Sequence, residues 1–81
     1  MIYALKFSKT FDKEFGKIDK SVSQQVIKKI ARLKDSPSNV GKSLLYTKPT
    51  LWEFKVESFR LFYLIQDNLS EVRILSIKHK D

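Results

Sequence analysis

Lys55 and Arg60 flank a short break at Glu57-Ser58, and what surrounds them suggests chemistry. From Trp52 to Val56 large apolar residues alternate with charged ones, and the alternation resumes at Phe59, which is the period-2 signature of strands. Two strands over residues 51–66, joined by a two-residue turn, put Val56 opposite Phe59, Phe54 opposite Leu61 and Trp52 opposite Tyr63 on one side. The other side then carries Glu53 opposite Phe62, and Lys55 directly opposite Arg60. Like charges facing each other across a ladder repel, so an anion seated between them gives the arrangement a purpose. The competing reading is that both heads splay into water, where a pair at about 4 Å costs only about 1 kcal/mol.

The chain has 81 residues and a net charge of +7, with 16 Lys and Arg against 9 Asp and Glu. Residues 1–41 hold nine of those cations and four of the acids, so most of the excess lies in the first half. Such a balance favours polyanionic partners, nucleic acid foremost. There is no cysteine and only one histidine, which leaves no thiolate or His-cluster metal site and no disulfide framework. The sequence thus calls for no metal and no small-molecule cofactor. No apolar run approaches the roughly 20 residues of a membrane span, and no signal-peptide pattern opens the chain. The expectation is a single cytoplasmic domain over 1–81.

Elements must bring these residues together. Residues 2–7 read as a first strand. Ser8 or Thr10 then caps a helix with Phe7, Phe11, Phe15 and Ile18 inward. Lys9, Lys13 and Lys17 lie about 200° round from that stripe. Ser21 and Gln24 have the spacing of a capping box, opening a second helix with Val22, Val26, Ile30 and Leu33 inward and Lys28 and Arg32 outward. It ends before Pro37. Both basic stripes are either solvated faces or phosphate contacts that position without reading sequence. A short edge strand is expected over 42–46, then the hairpin, then a last strand from Glu71 to about Lys78.

Pairing Gln66 with Glu71 sends Val72 and Ile74 to the side of Trp52. Arg73, Leu75, Ile77 and His79 then join Lys55 and Arg60. The result is a two-layer α+β domain in the order β-α-α-β-β-β-β, with a helical hairpin over one face of a mainly antiparallel sheet. On the free face Phe62, Leu64, Leu75 and Ile77 form an apolar strip that a partner would cover. His79 adds an imidazole, a group able to move protons near neutrality.

This order of elements resembles the RelE/ParE superfamily of toxin–antitoxin toxins along the whole chain. The family run Leu-Trp-x-x-Arg-Val-Gly-Asp-Tyr-Arg-x-x-Tyr aligns without gaps on Leu51 to Tyr63. A second run, Ile-Gly-His-Arg or Gly-Lys-Arg, resembles Ile77 to Lys80. The resemblance implies a ribosome-dependent endoribonuclease that cuts mRNA without metal, by attack of the ribose 2′-OH on the adjacent phosphate. Arg60 would stabilise charge on phosphate, Lys55 is a second cation, and His79 and Lys80 fall where the family keeps its last-strand acid/base and phosphate-binding groups. It further implies a cognate antitoxin, disordered until bound, packed on the apolar strip or the sheet edge. Ribosomal RNA would meet Lys9, Lys13, Lys17, Lys28 and Arg32. The same likeness admits a ParE-like inhibitor of DNA gyrase, or a catalytically impaired RNA-binding member. Lysines replace family arginines at 55 and 80, giving up the bidentate guanidinium grip on phosphate. Glu57 stands where the family has a turn glycine, and the family's tyrosine beyond the last basic pair falls outside these residues.

Overall fold

The computed structural model describes residues 2–44 and 47–80. In chain order the elements are β1 (Ala4–Phe7), α1 (Lys9–Phe15), α2 (Lys20–Ile30), a 3-10 turn (Ala31–Lys34) and α3 (Pro37–Val40). Then come β2 (Lys42–Ser43), β3 (Trp52–Val56), β4 (Phe59–Gln66), a second 3-10 turn (Asp67–Leu69) and β5 (Glu71–His79). The five strands form one sheet in the order β1-β5-β4-β3-β2, antiparallel except for β1 beside β5.

Local chemistry explains the breaks. The Ser8 hydroxyl accepts the Phe11 N–H and caps α1, satisfying one of the amides that a helix start leaves unpaired. The same hydroxyl donates to the Leu75 carbonyl at 2.5 Å, fastening the helix entry to β5. At α2 the cap is Asp19, whose carboxylate accepts the Ser21 N–H. The capping box expected from Ser21 and Gln24 is therefore displaced, because an ionised carboxylate two residues earlier is the better acceptor for amides at a positive helix end. The edge strand over 42–46 is only Lys42–Ser43, and Leu45 and Tyr46 lie outside the described residues.

The helices cover one side of the sheet. Phe11, Val26, Ile30 and Leu33 meet Phe54, Val56, Leu61, Tyr63, Val72, Ile74 and Ile77 in a single core. Each fully covered aliphatic or aromatic side chain contributes about 1.5–3 kcal/mol. Tyr63 is buried with its polar tip satisfied: the hydroxyl donates to the Pro37 carbonyl at 2.6 Å. Burial pushes its pKa up to about 12, although the Gly41 amide bonded to the same oxygen pulls the other way. Gly41 is needed there for space. A Cβ at that position would fall 1.9 Å from the Tyr63 hydroxyl.

The hairpin pairs as its alternation predicts, from Trp52 with Tyr63 to Val56 with Phe59. The last strand does not keep its expected phase. Gln66 pairs with Glu71 and Tyr63 with Ile74, but Phe62 pairs with Ser76, so Leu75 is one residue extra. Such a bulge reverses the side of every residue beyond it. Ile77 therefore enters the core, only 3% exposed, and leaves the proposed apolar strip. His79 moves to the side of Phe59 and Leu61, away from Lys55 and Arg60. Ser76 and Lys78 replace them on the open face.

Candidate active site

Three adjacent strands each set a cation on the open face at one level. Lys55 on β3 is the cross-strand partner of Arg60 on β4, and Arg60 is the partner of Lys78 on β5. The Lys80 N–H donates to the Ser58 carbonyl at 2.9 Å. That bond extends the ladder one step past β5, two residues beyond Lys78 and so in phase with it. Four basic residues thus gather around the hairpin turn. His79 is the exception: its ring meets Phe59 edge-on at 5.2 Å between centroids, with the planes at 83°.

Two carboxylates relieve the repulsion. Arg60 Nη1 lies 3.6 Å from a Glu53 carboxylate oxygen, and the Glu53 side chain is only 12% exposed. This pair satisfies one side of the guanidinium. Its Nε–H is buried and meets no acceptor among the described residues, a condition that normally costs about 1–3 kcal/mol. Lys55 is exposed and Arg60 half-buried, so the cluster is reachable from solvent.

On the other flank Lys78 Nζ pairs with the Glu14 carboxylate, contributed by α1. The second Glu14 oxygen accepts the Ile77 N–H at 3.0 Å. β1 pairs with β5 only as far as Ile74, and α1 follows alongside, so Glu14 serves an edge amide that no strand reaches. Burial works to raise the Glu14 pKa, but the bond to Lys78, the Ile77 amide and the nearby charges of Lys78 and Lys17 outweigh it and hold the carboxyl below its usual range.

The remaining expected residues are spread more widely. Lys9, Lys13, Lys17, Lys28 and Arg32 are exposed on the helical layer. Phe62 and Leu64 lie half-buried on the open face, with half-buried Leu75 at the bulge beside them. Among the described residues no group of three or more His, Cys, Asp or Glu is assembled as a metal site would require. Glu14 and Lys78 escaped the reading of the sequence. Alternation gave no signal for them, since Ile74, Leu75 and Ile77 put apolar residues on both phases; only the burial of positions 72, 74 and then 77 reveals the switch of parity that a bulge produces.

Neighbouring cations on a rigid sheet, one with an unmet donor, suit an oligoanion whose charge spreads over several oxygens, as in a phosphodiester under attack. Comparison with known proteins supports a toxin scaffold. The family of ParE toxins of the type II toxin–antitoxin system parDE matches residues 5–81. No curated protein matches the sequence. Among solved structures, the fold is similar to the toxin in the RelBE2 toxin–antitoxin complex of Mycobacterium tuberculosis, with TM-score 0.89, 25% identity, and 98% of this chain and 99% of that one covered. The toxin in the intact RelBE complex of E. coli gives 0.82 and 28%, covering 98% of both chains. Isolated E. coli RelE gives 0.82 and 27%, covering 98% of this chain and 85% of that one. With the sheet, the helical hairpin and the sequence family in agreement, the chain belongs to the ParE toxin family of type II toxin–antitoxin systems, within the RelE/ParE superfamily.

Proposed function

We propose that this toxin is a ribosome-dependent endoribonuclease that cleaves mRNA and so stops translation. The observation that carries the reading is the Lys55–Arg60 apposition on the open sheet face, extended by Lys78 on the next strand. In the reaction the ribose 2′-oxygen attacks the adjacent phosphorus and the 5′-oxygen departs. One proton leaves the 2′-OH and one reaches the 5′-oxygen, giving a 2′,3′-cyclic phosphate and a free 5′-hydroxyl. Arg60 meets the charge that builds on the non-bridging oxygens, and Lys55 and Lys80 hold the flanking backbone. Besides these cations, the Glu53 carboxylate stands on that face beside Arg60. His79 is across the ribbon, so proton transfer falls to Glu53, to a lysine of the cluster or to groups of the ribosome.

Similar toxins were solved bound to antitoxins, and a cognate antitoxin is the expected partner here. It covers the strip of Phe62, Leu64 and Leu75, folding as it binds. Exposed Lys9, Lys13, Lys17, Lys28 and Arg32 of the helical layer face ribosomal RNA. The test is a translating extract with mRNA ends mapped by primer extension, run with the unmodified chain and with Arg60→Ala. Cuts confined to translated message and lost in the variant are expected. Intact message with blocked supercoiling by DNA gyrase would overturn the nuclease in favour of a gyrase inhibitor.

A further inference from the structure

We propose that Lys78 is a fourth phosphate-binding residue of the toxin, beside Arg60, Lys55 and Lys80, and that Glu14 is the internal anion which occupies it until RNA arrives. The inference rests on the nuclease reading for the identity of the anion, an RNA phosphodiester, and on the geometry of the sheet for the site. The bulge at Leu75 puts Lys78 directly beside Arg60, the residue with the unmet Nε–H. Were Leu75 paired in a regular ladder instead of bulged, Lys78 would point into the helical layer. The family run that aligns with Ile77 to Lys80 has glycine in place of Lys78, so this contact belongs to the present chain. It supplies a cation to a cluster in which lysines stand for arginines at 55 and 80.

Glu14 determines when Lys78 is free. Its carboxylate binds the Lys78 ammonium through one oxygen and the Ile77 amide through the other. The amide bond anchors Glu14 to the β5 edge whether or not Lys78 is present. The Lys78 side chain is 60% exposed, and its long stem lets the ammonium move from the strand edge toward Arg60 without disturbing the backbone. An RNA phosphate at the hairpin turn competes with Glu14 for one ammonium. Lys78 thus grips RNA only where a phosphate sits between it and Arg60.

The experiment is an equilibrium titration of the folded toxin with a fluorescent oligoribonucleotide of 2′-O-methyl residues, which cannot be cleaved, over a range of salt concentrations. Lys78→Ala is expected to make the slope of log affinity against log salt shallower by about 0.7, the signature of one lost phosphate contact on a single strand. Affinity in low salt falls about tenfold. Lys78→Arg keeps the slope. Lys34→Ala, an equal loss of charge on an exposed residue away from the cluster, leaves it unchanged. Glu14→Gln keeps an acceptor for the Ile77 amide but no longer holds the ammonium, so RNA binds several-fold tighter than it does to Asp12→Asn, which changes net charge equally. Lys78→Ala behaving as Lys34→Ala does, or Glu14→Gln as Asp12→Asn does, overturns the proposal. A toxin that leaves translated message whole yet shows the Lys78-dependent slope overturns the nuclease and supports the contact. Cut message without that dependence does the reverse.

Discussion

Arg60 supplies the planar donor fork of the proposed site. Glu53 lies 3.6 Å from Nη1, while the buried Nε–H meets no acceptor among the described residues. Lysine cannot reproduce this fork, so Arg60→Lys is expected to lower the cleavage rate about 100-fold, near the value of one lost oxyanion donor. The thermal midpoint should stay where it is, because the residue is partly exposed. His79→Ala should cost less than the roughly 100-fold that a positioned acid or base supplies, since its ring packs against Phe59 on the opposite side. Primer-extension rates in one extract compare all three. A second residue-scale test concerns packing. Gly41→Ala drives a methyl to 1.9 Å from the Tyr63 hydroxyl and should cost about 1–3 kcal/mol in denaturant melts. Tyr63→Phe alone loses the bond to Pro37 and costs about 1–2 kcal/mol. The double variant should cost less than the sum, because the clash and the hydroxyl disappear together.

The hairpin of β3 and β4 was fully legible, because one of its faces is apolar at every second position and a one-residue slip would bury Glu53, Lys55 and Arg60. β5 was not. Ile74, Leu75 and Ile77 are apolar on both phases, so alternation alone allowed either side for the residues after Ile74, and the contacts that choose between them lie in α1. The bond from Ile77 to Glu14 spans 63 positions of sequence, a distance over which local pattern carries no information. His79 was consequently assigned to the wrong face, and Lys78 and Glu14 were passed over. Deleting Leu75 tests the bulge. It removes the extra residue while Ser76 still faces Phe62, Ile77 stays in the core and Lys78 stays beside Arg60, so the domain should lose less than the about 2–5 kcal/mol of a lost core aliphatic side chain. The turn offers a gain instead. Glu57 adopts φ 53, a region that suits glycine, and its ion pair with Lys29 is half exposed on both sides and so worth little. Glu57→Gly should raise stability by about 0.5 kcal/mol, read as a shift in the denaturant midpoint.

At the scale of the whole molecule, stability and pH are linked through several groups, Tyr63 and Glu14 among them. Tyr63 titrates at about 12 in the folded state against 10.0 as the ordinary value. A raised folded pKa means the contribution is complete below pH 10 and is lost as pH climbs from 10 toward 12. Glu14 has the opposite sign. Its pKa is lowered on folding, so its contribution is present above the ordinary carboxylate range and disappears as pH falls through and below it. Thermal melts should show both edges, with the alkaline one weakened in Tyr63→Phe and the acid one in Glu14→Gln. The order of the strands has one more consequence. Ala4 to Phe7 are made well before Glu71 to Ile74, the residues they pair with, and Glu14 waits for Ile77 and Lys78. A nascent chain therefore carries β1 unmatched, and its clustered cations still apart, until β5 has been made.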